Sequence, residues 1–227
     1  MSVNLTWLGH ATWLLVSGEH QILIDPFLTD NPSAQVSPSE VDADFILITH
    51  GHADHTADAA EIAKRCGAKL IANFEIANWF AAQGVADTLG MNLGGTAELA
   101  CGRVKMTVAH HSSSLPDGSY GGCPAGFVVE TGGRRIYFAG DTALFSDMQL
   151  IGNMGLDVAV LPIGDLFTMG PADTIAAAQL LKAKLVLPAH YNTWPPIAQD
   201  AAQWVADMHA QADCQAKAPA VGETLKI

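Results

Sequence analysis

Six consecutive residues, His50-Gly51-His52-Ala53-Asp54-His55, place three imidazoles and a carboxylate in one short stretch. Neutral imidazole is the commonest protein ligand for a transition metal, and a carboxylate adds compensating charge. At this His and Asp content, chance would produce the His-x-His-x-Asp-His spacing in about one chain in a thousand. A His-rich polar loop is the plain alternative.

Other polar clusters stand where apolar runs stop. Val104 to Ala109 leads into His110-His111-Ser112-Ser113, Ile136 to Ala139 into Gly140-Asp141-Thr142, and Leu185 to Ala189 into His190-Tyr191-Asn192. Near the N-terminus, Leu8-Gly9 leads into His10 and Ile22-Leu23-Ile24 into Asp25. Loops at the ends of rigid strands are where active sites are commonly built. Taken singly, a strand-end His is more often a hydrogen-bonded structural residue. Two metal ions need about seven donors, and these clusters together supply them.

The elements that must hold these groups can be read from apolar patterning. Leu5 to Val16 and Gln21 to Asp25, flanking Ser17-Gly18-Glu19-His20, predict a β-hairpin. Asp44 to Thr49 is a strand running into the His motif, and a helix is expected from Ala57 to Cys66, ended by Gly67. A strand at 69–72, a helix at 75–83, strands within 91–109 and a hairpin over 126–139 follow. Then come a buried strand at 158–162, a helix from Pro171 to Lys182, a strand at 185–188 and a last helix at 200–211. This order predicts two β-rich halves with helices outside them, within one domain spanning residues 1–227.

Composition narrows the partners. Of 227 residues 49% are hydrophobic and 15% charged, which suits a sizeable core and argues against disorder. The formal net charge of −12 offers no electrostatic footprint for nucleic acid or an anionic membrane. No signal peptide or transmembrane run is evident. Cys66, Cys101, Cys123 and Cys214 lack C-x-x-C spacing and read as reduced, mostly buried thiols of a cytoplasmic protein. The five Trp and seven Met are expected in the core.

Taken together, Thr49-His50-Gly51-His52-Ala53-Asp54-His55, His111-Ser112-Ser113, Ala139-Gly140-Asp141-Thr142 and Pro188-Ala189-His190-Tyr191-Asn192 resemble the metallo-β-lactamase-fold superfamily. Leu8 to Thr12, Asp25-Pro26-Phe27 and Leu161 to Pro171 look most like its small, largely uncharacterised metal-dependent hydrolases akin to the ascorbate-phosphate lactonase. The resemblance implies an α+β fold, a four-layer αββα sandwich. It implies that His50, His52 and His111 hold one metal, that Asp54, His55 and His190 hold a second, and that Asp141 bridges both. Strand alternation cannot choose between His110 and His111; the resemblance favours His111, which directly precedes small polar residues, and leaves His110 to support a ligand or to serve a structural role.

The expected cofactors are two divalent ions, zinc first, with manganese or iron fitting the same nitrogen and oxygen donors. Water held between such ions loses its proton near neutral pH and becomes a bridging hydroxide nucleophile. Asp54 could also shuttle a proton to the leaving group. His10 and Asp25 are candidates for orienting ligands or walling the substrate, with a structural hydrogen-bonded pair as the bland alternative. The stretch from Ser112 to Gly126 reads as a surface loop that could cover substrate.

The function expected is hydrolysis of a small ester, lactone or phosphoester, and a homo-oligomer is compatible with it. A nucleic-acid phosphodiesterase, an iron-dependent oxygenase of the same fold and a non-catalytic scaffold are the competing readings. Acidic charge disfavours the first of these, and a complete ligand set disfavours the last.

Overall fold

The structure, a computed structural model, describes residues 2–227. The first half runs β1 (Val3–Gly9), β2 (Thr12–Ser17), β3 (His20–Ile24), β4 (Phe45–Leu47), α1 (Ala53–Thr56), α2 (Ala59–Cys66), β5 (Lys69–Asn73), α3 (Phe74–Ala82) and β6 (Thr88–Met91). The second runs β7 (Thr96–Leu99), β8 (Gly102–Val108), β9 (Ala125–Thr131), β10 (Arg134–Phe138), α4 (Met148–Gly152), β11 (Val158–Pro162), α5 (Pro171–Leu181), β12 (Leu185–Ala189), α6 (Ala201–Gln211) and β13 (Gln215–Ala216). A final strand, β14 (Thr224–Lys226), returns to the edge of the first sheet beside β1.

Each sheet has seven strands, ordered β14-β1-β2-β3-β4-β5-β6 and β13-β12-β11-β10-β9-β8-β7. Strand alternation explains how they stack. Ile22 and Ile24 of β3, Phe45 and Leu47 of β4, and Ile71 of β5 join the core between the sheets. Their neighbours Leu23, Ile46, Leu70 and Ala72 point the other way, onto Ile62 of α2 and Ile76 and Phe80 of α3. With both faces covered, these parallel strands are apolar throughout. On the second sheet Ile175, Ala178 and Leu181 of α5 and Trp204 and Met208 of α6 provide the outer cover. The result is the expected αββα sandwich.

Several local expectations are corrected. The single strand expected from Leu5 to Val16 breaks at His10-Ala11, where His10 takes φ +52°, and its two parts pair with each other as β1 and β2. The helix expected from Ala57 starts four residues earlier, as α1, and is interrupted before α2. The interruption falls at Asp58, whose backbone amide donates to the Pro26 carbonyl at 3.1 Å. Its Oδ2 accepts from the Leu28 and Thr29 amides at 2.6 and 3.0 Å, and its Oδ1 from the Thr29 hydroxyl at 2.6 Å. That carboxylate therefore ties the helix to the β3–β4 connection. Of the four free cysteines only Cys101 is buried. Trp194 and Trp79 are half-buried rather than core residues, and the Trp79 indole donates to Asp117 at 2.7 Å. The chain has no helix long and apolar enough to cross a membrane among the described residues.

Candidate metal centre

The candidate site residues of both halves converge at one end of the sandwich. His50, His52, Asp54 and His55 come from the β4–α1 junction, His111 from the segment after β8, Asp141 from the end of β10 and His190 from the end of β12. Donor atoms of His50, His52 and His111 lie within 4.8 Å of one another, as do those of His50, His55 and Asp141. A third group at the same spacing joins Asp54, His55 and His190 to His10.

His50 and His55 each recur in two of these groups, and Asp141 faces members of all three. Its Oδ2 is 3.1 Å from His190 Nε2, 3.6 Å from His111 Nε2 and 3.9 Å from His50 Nε2, while its Oδ1 is 3.4 Å from His55 Nε2. Asp141 reaches this point because the preceding Gly140 has φ +63°; a Cβ there would lie 2.8 Å from Thr49 Cβ and 2.9 Å from the Ala125 carbonyl. Gly164 makes a similar close approach, since a Cβ would sit 2.2 Å from the His190 carbonyl.

Asp25 is turned away from the cluster centre and holds its frame. Its Oδ1 accepts from the Thr49 amide at 2.8 Å, and its Oδ2 accepts from the Thr49 hydroxyl at 2.6 Å and faces His55 Nδ1 at 2.9 Å. His55 is thereby fixed with Nε2 directed at the cluster. His10 sits on the other flank, fully buried, with Nδ1 2.7 Å from the Thr193 hydroxyl and Nε2 3.2 Å from Asp54 Oδ2. Its left-handed backbone is held because its carbonyl accepts from the Trp7 indole at 2.9 Å and from the His190 amide at 3.0 Å. Asp25 and His190 are left-handed too, at φ +45° and +54°. Such backbone costs on the order of 1–3 kcal/mol per residue and persists only where surrounding contacts over-determine it.

The doublet after β8 separates cleanly. His111 faces His50 and His52, with ring centroids 5.0 and 5.1 Å away, whereas His110 is exposed and stacks on Phe145 at 4.7 Å. Ser112 Oγ lies 3.3 Å from His52 Nε2, and Ser113 Oγ accepts from the Gly51 amide at 3.1 Å. The Ser112–Gly126 stretch thus anchors the motif loop from the opposite half. Asn73 adds a second tie, its amide donating to the Gly121 and Cys123 carbonyls at 2.6 and 2.9 Å.

Electrostatics identify what this cluster suits. Burial, then the neighbouring His55, holds His50 well below the ordinary imidazole range. Burial, then His190, depresses His10 to about 4. Burial works against the charged forms of His55 and His190, yet the neighbouring carboxylates together outweigh it, Asp141 with Asp25 at His55 and Asp141 with Asp54 at His190. His55 is driven well above the usual value and His190 up to about 9. Burial opposes the charged forms of Asp54 and of the more deeply buried Asp141, but the surrounding imidazoles hold both carboxyls below the ordinary range. His55 Nε2 and Asp141 Oδ1, 3.4 Å apart in the cluster, are buried without a hydrogen-bond partner. Stranded polar atoms, with His50 Nε2 and His52 Nδ1 facing each other at 3.0 Å, fit cations at the centre of the cluster.

The sequence reading did not place His10 at ligand distance, nor did it identify Thr193. Their only sequence signals are the strand end at His10 and proximity of Thr193 to His190. Both depend on β1 and β12 ending side by side.

Comparison with known proteins bears on the family and the fold. The beta-lactamase superfamily domain family matches residues 20–191. A UPF0173 metal-dependent hydrolase of Thermus thermophilus is 56% identical over 198 residues, covering 87% of this chain and 88% of that one. The structure of Igni18, a metallo hydrolase from Ignicoccus hospitalis, superposes with a TM-score of 0.91 at 35% identity, over 100% of this chain and 99% of the other. The fold alone is shared with the diiron beta-hydroxylase CmlA of Streptomyces venezuelae, at TM-score 0.78 and 14% identity, over 99% of this chain and 54% of that chain. The chain therefore belongs to the beta-lactamase superfamily, with the metallo-β-lactamase fold, among its metal-dependent hydrolases.

Proposed function

We propose that this chain is a binuclear hydrolase that takes two divalent cations, zinc first, and cleaves a small ester, lactone or phosphoester. The observation that carries the reading is the Asp141 carboxylate, within 3.1–3.9 Å of the facing nitrogens of His50, His55, His111 and His190. One carboxylate shared by two sets of imidazoles is the arrangement expected of two cations about 3.5–4 Å apart. His50, His52 and His111 would hold the first, Asp54, His55 and His190 the second, and Asp141 both. Bound there, the cations would supply an acidified water and polarise the substrate oxygen.

The remaining steps fall to the chain itself. Asp25 sets the ring orientation of His55. His10, held at Nδ1 by Thr193, presents Nε2 to Asp54 and fixes that carboxylate's angle. The Asp54 side chain is 27% exposed, against 4% for Asp141 and 1% for Asp25. Asp54 is therefore the carboxylate of the cluster with access to the mouth, where it can take a proton from the attacking water and return it to the leaving oxygen. The partner is a small molecule rather than a nucleic acid, given the net charge of −12.

Metal content of gently purified protein, measured alongside turnover of ester, lactone and phosphodiester panels, tests the reading. About two zinc or manganese ions per chain with turnover abolished in His52→Ala supports it. Two irons and no hydrolysis would instead favour an oxygenase, and a metal-free, inert protein a scaffold.

A further inference from the structure

Beside Asp54 lies a cavity of about 620 Å³, walled by Phe27 and Trp194 and by Thr29, Asp30, Ala57 and Glu61. Two observations set its chemistry. The first is its aromatic side. Phe27 and Trp194 have ring centroids 5.9 Å apart at 36°, and the His10 ring meets Trp194 edge-on at 5.0 Å. Phe27 is buried and Trp194 half-buried, so Trp194 offers the aromatic surface open to the cavity. Such a surface attracts an alkylammonium group through its negative π cloud.

The second is the distribution of charge. Every charged residue lining the cavity is acidic: Asp30, Asp54, Asp58 and Glu61. Asp58 is already engaged by Leu28 and Thr29, whereas Asp30 and Glu61 are exposed. None of the eleven Lys and Arg residues lines this cavity or the one formed by His111, the serines and Cys123. For four of them the topology explains that. Lys69, Arg103, Arg134 and Lys184 stand at the starts of β5, β8, β10 and β12, while the site is built where those strands end. A phosphate or carboxylate in the cavity would meet like charge without an Arg or Lys to pair with.

We propose that this cavity is the leaving-group subsite, and that it selects a cationic alkylammonium alcohol over a neutral group of the same shape. The inference rests on the hydrolase reading, because Asp54 at its edge is the carboxylate assigned to protonate the leaving oxygen. It also ranks the possible substrates: the leaving group carries positive charge, so anionic phosphodiester chains and carboxylated alcohols are poor fits.

Choline, its neutral isostere 3,3-dimethyl-1-butanol and the anion 3,3-dimethylbutyrate are suitable probes, titrated calorimetrically into the full-length protein as purified. Choline should bind about five- to thirtyfold more tightly than the alcohol, and the anion least tightly. Trp194→Leu should erase the preference while Trp194→Phe retains most of it, which separates a lost aromatic face from misfolding. Asp30→Asn with Glu61→Gln should reduce the preference several-fold. Equal binding of choline and its isostere, no binding of either, or tighter binding of the anion would each overturn the proposal.

Turnover of acetylcholine against 3,3-dimethylbutyl acetate then distinguishes the two claims. Selective choline binding with no turnover of either ester or of any member of the ester, lactone and phosphodiester panels sinks the hydrolase reading but leaves the cationic subsite standing. Equal kcat/KM for both esters sinks the subsite and leaves the hydrolase.

Discussion

The two halves of the sandwich pair their strands in the same sequence of directions yet furnish their strand ends differently. From β14 through β3 and from β7 through β10 every neighbouring pair is antiparallel; from β3 to β6 and from β10 to β13 every pair is parallel. Asp25 follows β3 and Asp141 follows β10, so the two aspartates occupy matching places. His10 likewise matches the doublet after β8, and Asn73 at the end of β5 matches His190 after β12.

The difference arises after β4 and β11. The first half sends out His50 to His55, while the matching loop of the second, 163–170, contains no imidazole and exposes Leu166 and Phe167. Asp25 therefore meets a neighbouring loop rich in imidazoles and holds it through Thr49 and His55. Asp141 has no such loop beside it in its own half, and its carboxylate points across to the other half's imidazoles. In the proposed binuclear site, one position in the fold would serve as scaffold or as shared ligand according to what the adjacent loop supplies.

Exchanging the charge at the two matched positions tests this contrast most severely. Asp141→Asn should lose both metal equivalents and lower kcat/KM by about a thousandfold or more, read by metal analysis and steady-state kinetics. Asp25→Asn should keep the capacity for two metals with affinity weakened about 10–100-fold. Equal losses in the two variants would break the distinction between shared ligand and scaffold.

Glycine substitutions sharpen the contrast at the level of backbone. Gly140→Ala places a methyl against Thr49 and the Ala125 carbonyl, at a left-handed position, and should lower stability by about 2–4 kcal/mol. Gly133→Ala, also left-handed at φ +77° but in open space, should cost only about 1–2 kcal/mol. Urea denaturation of the metal-free proteins compares them directly.

A smaller effect is expected where His10 supports Asp54. Thr193→Val should lower kcat about tenfold with KM and metal content little changed, because it removes the hydrogen bond at Nδ1 rather than a metal donor. Asn is the informative replacement at position 10, since it tolerates a left-handed backbone. Thr193→Val kinetics identical to the parent protein would leave His10 a packing residue.

The pH response is the mildest of these effects and involves both halves. In the metal-free protein His55 and His190 are raised, the latter to about 9, and cations must displace their protons. Metal affinity should therefore climb from pH 6 and level off above about 9. Titrations in buffers of different ionisation enthalpy should report proton release on loading near neutral pH. The sign of the stability change is opposite. The protonated His190 pairing stabilises the metal-free fold below about pH 6.5 and is lost as pH rises through about 9.

Much of this was legible in the linear chain. Continuous apolar strands such as 158–162 reveal a sheet buried on both faces, and polar residues immediately after such strands reveal which end of the sheet carries the site. The motif at His50 to His55 needs no partner to be recognised, because its donors are neighbours in sequence. The break at Asp58 was not legible, since the hydrogen bonds its side chain makes go to Leu28 and Thr29, thirty residues away. The kink at His10 was equally hidden, since an apolar run reads as one strand until the Trp7 indole and the His190 amide claim the His10 carbonyl.

The sequence by itself therefore determined the fold class, the presence of a metal-binding motif and the set of residues able to serve it, because periodicity and donor chemistry are local properties. Only the tertiary structure decided how those residues divide their work. Asp25 and Asp141 have the same chemistry and matching strand ends, and they are told apart by what packs beside them. His111 faces inward and His110 outward for a similar reason: the cluster receives one ring while Phe145 stacks on the other. Direction and proximity between distant segments come from the packing of two sheets, which strand periodicity alone does not encode.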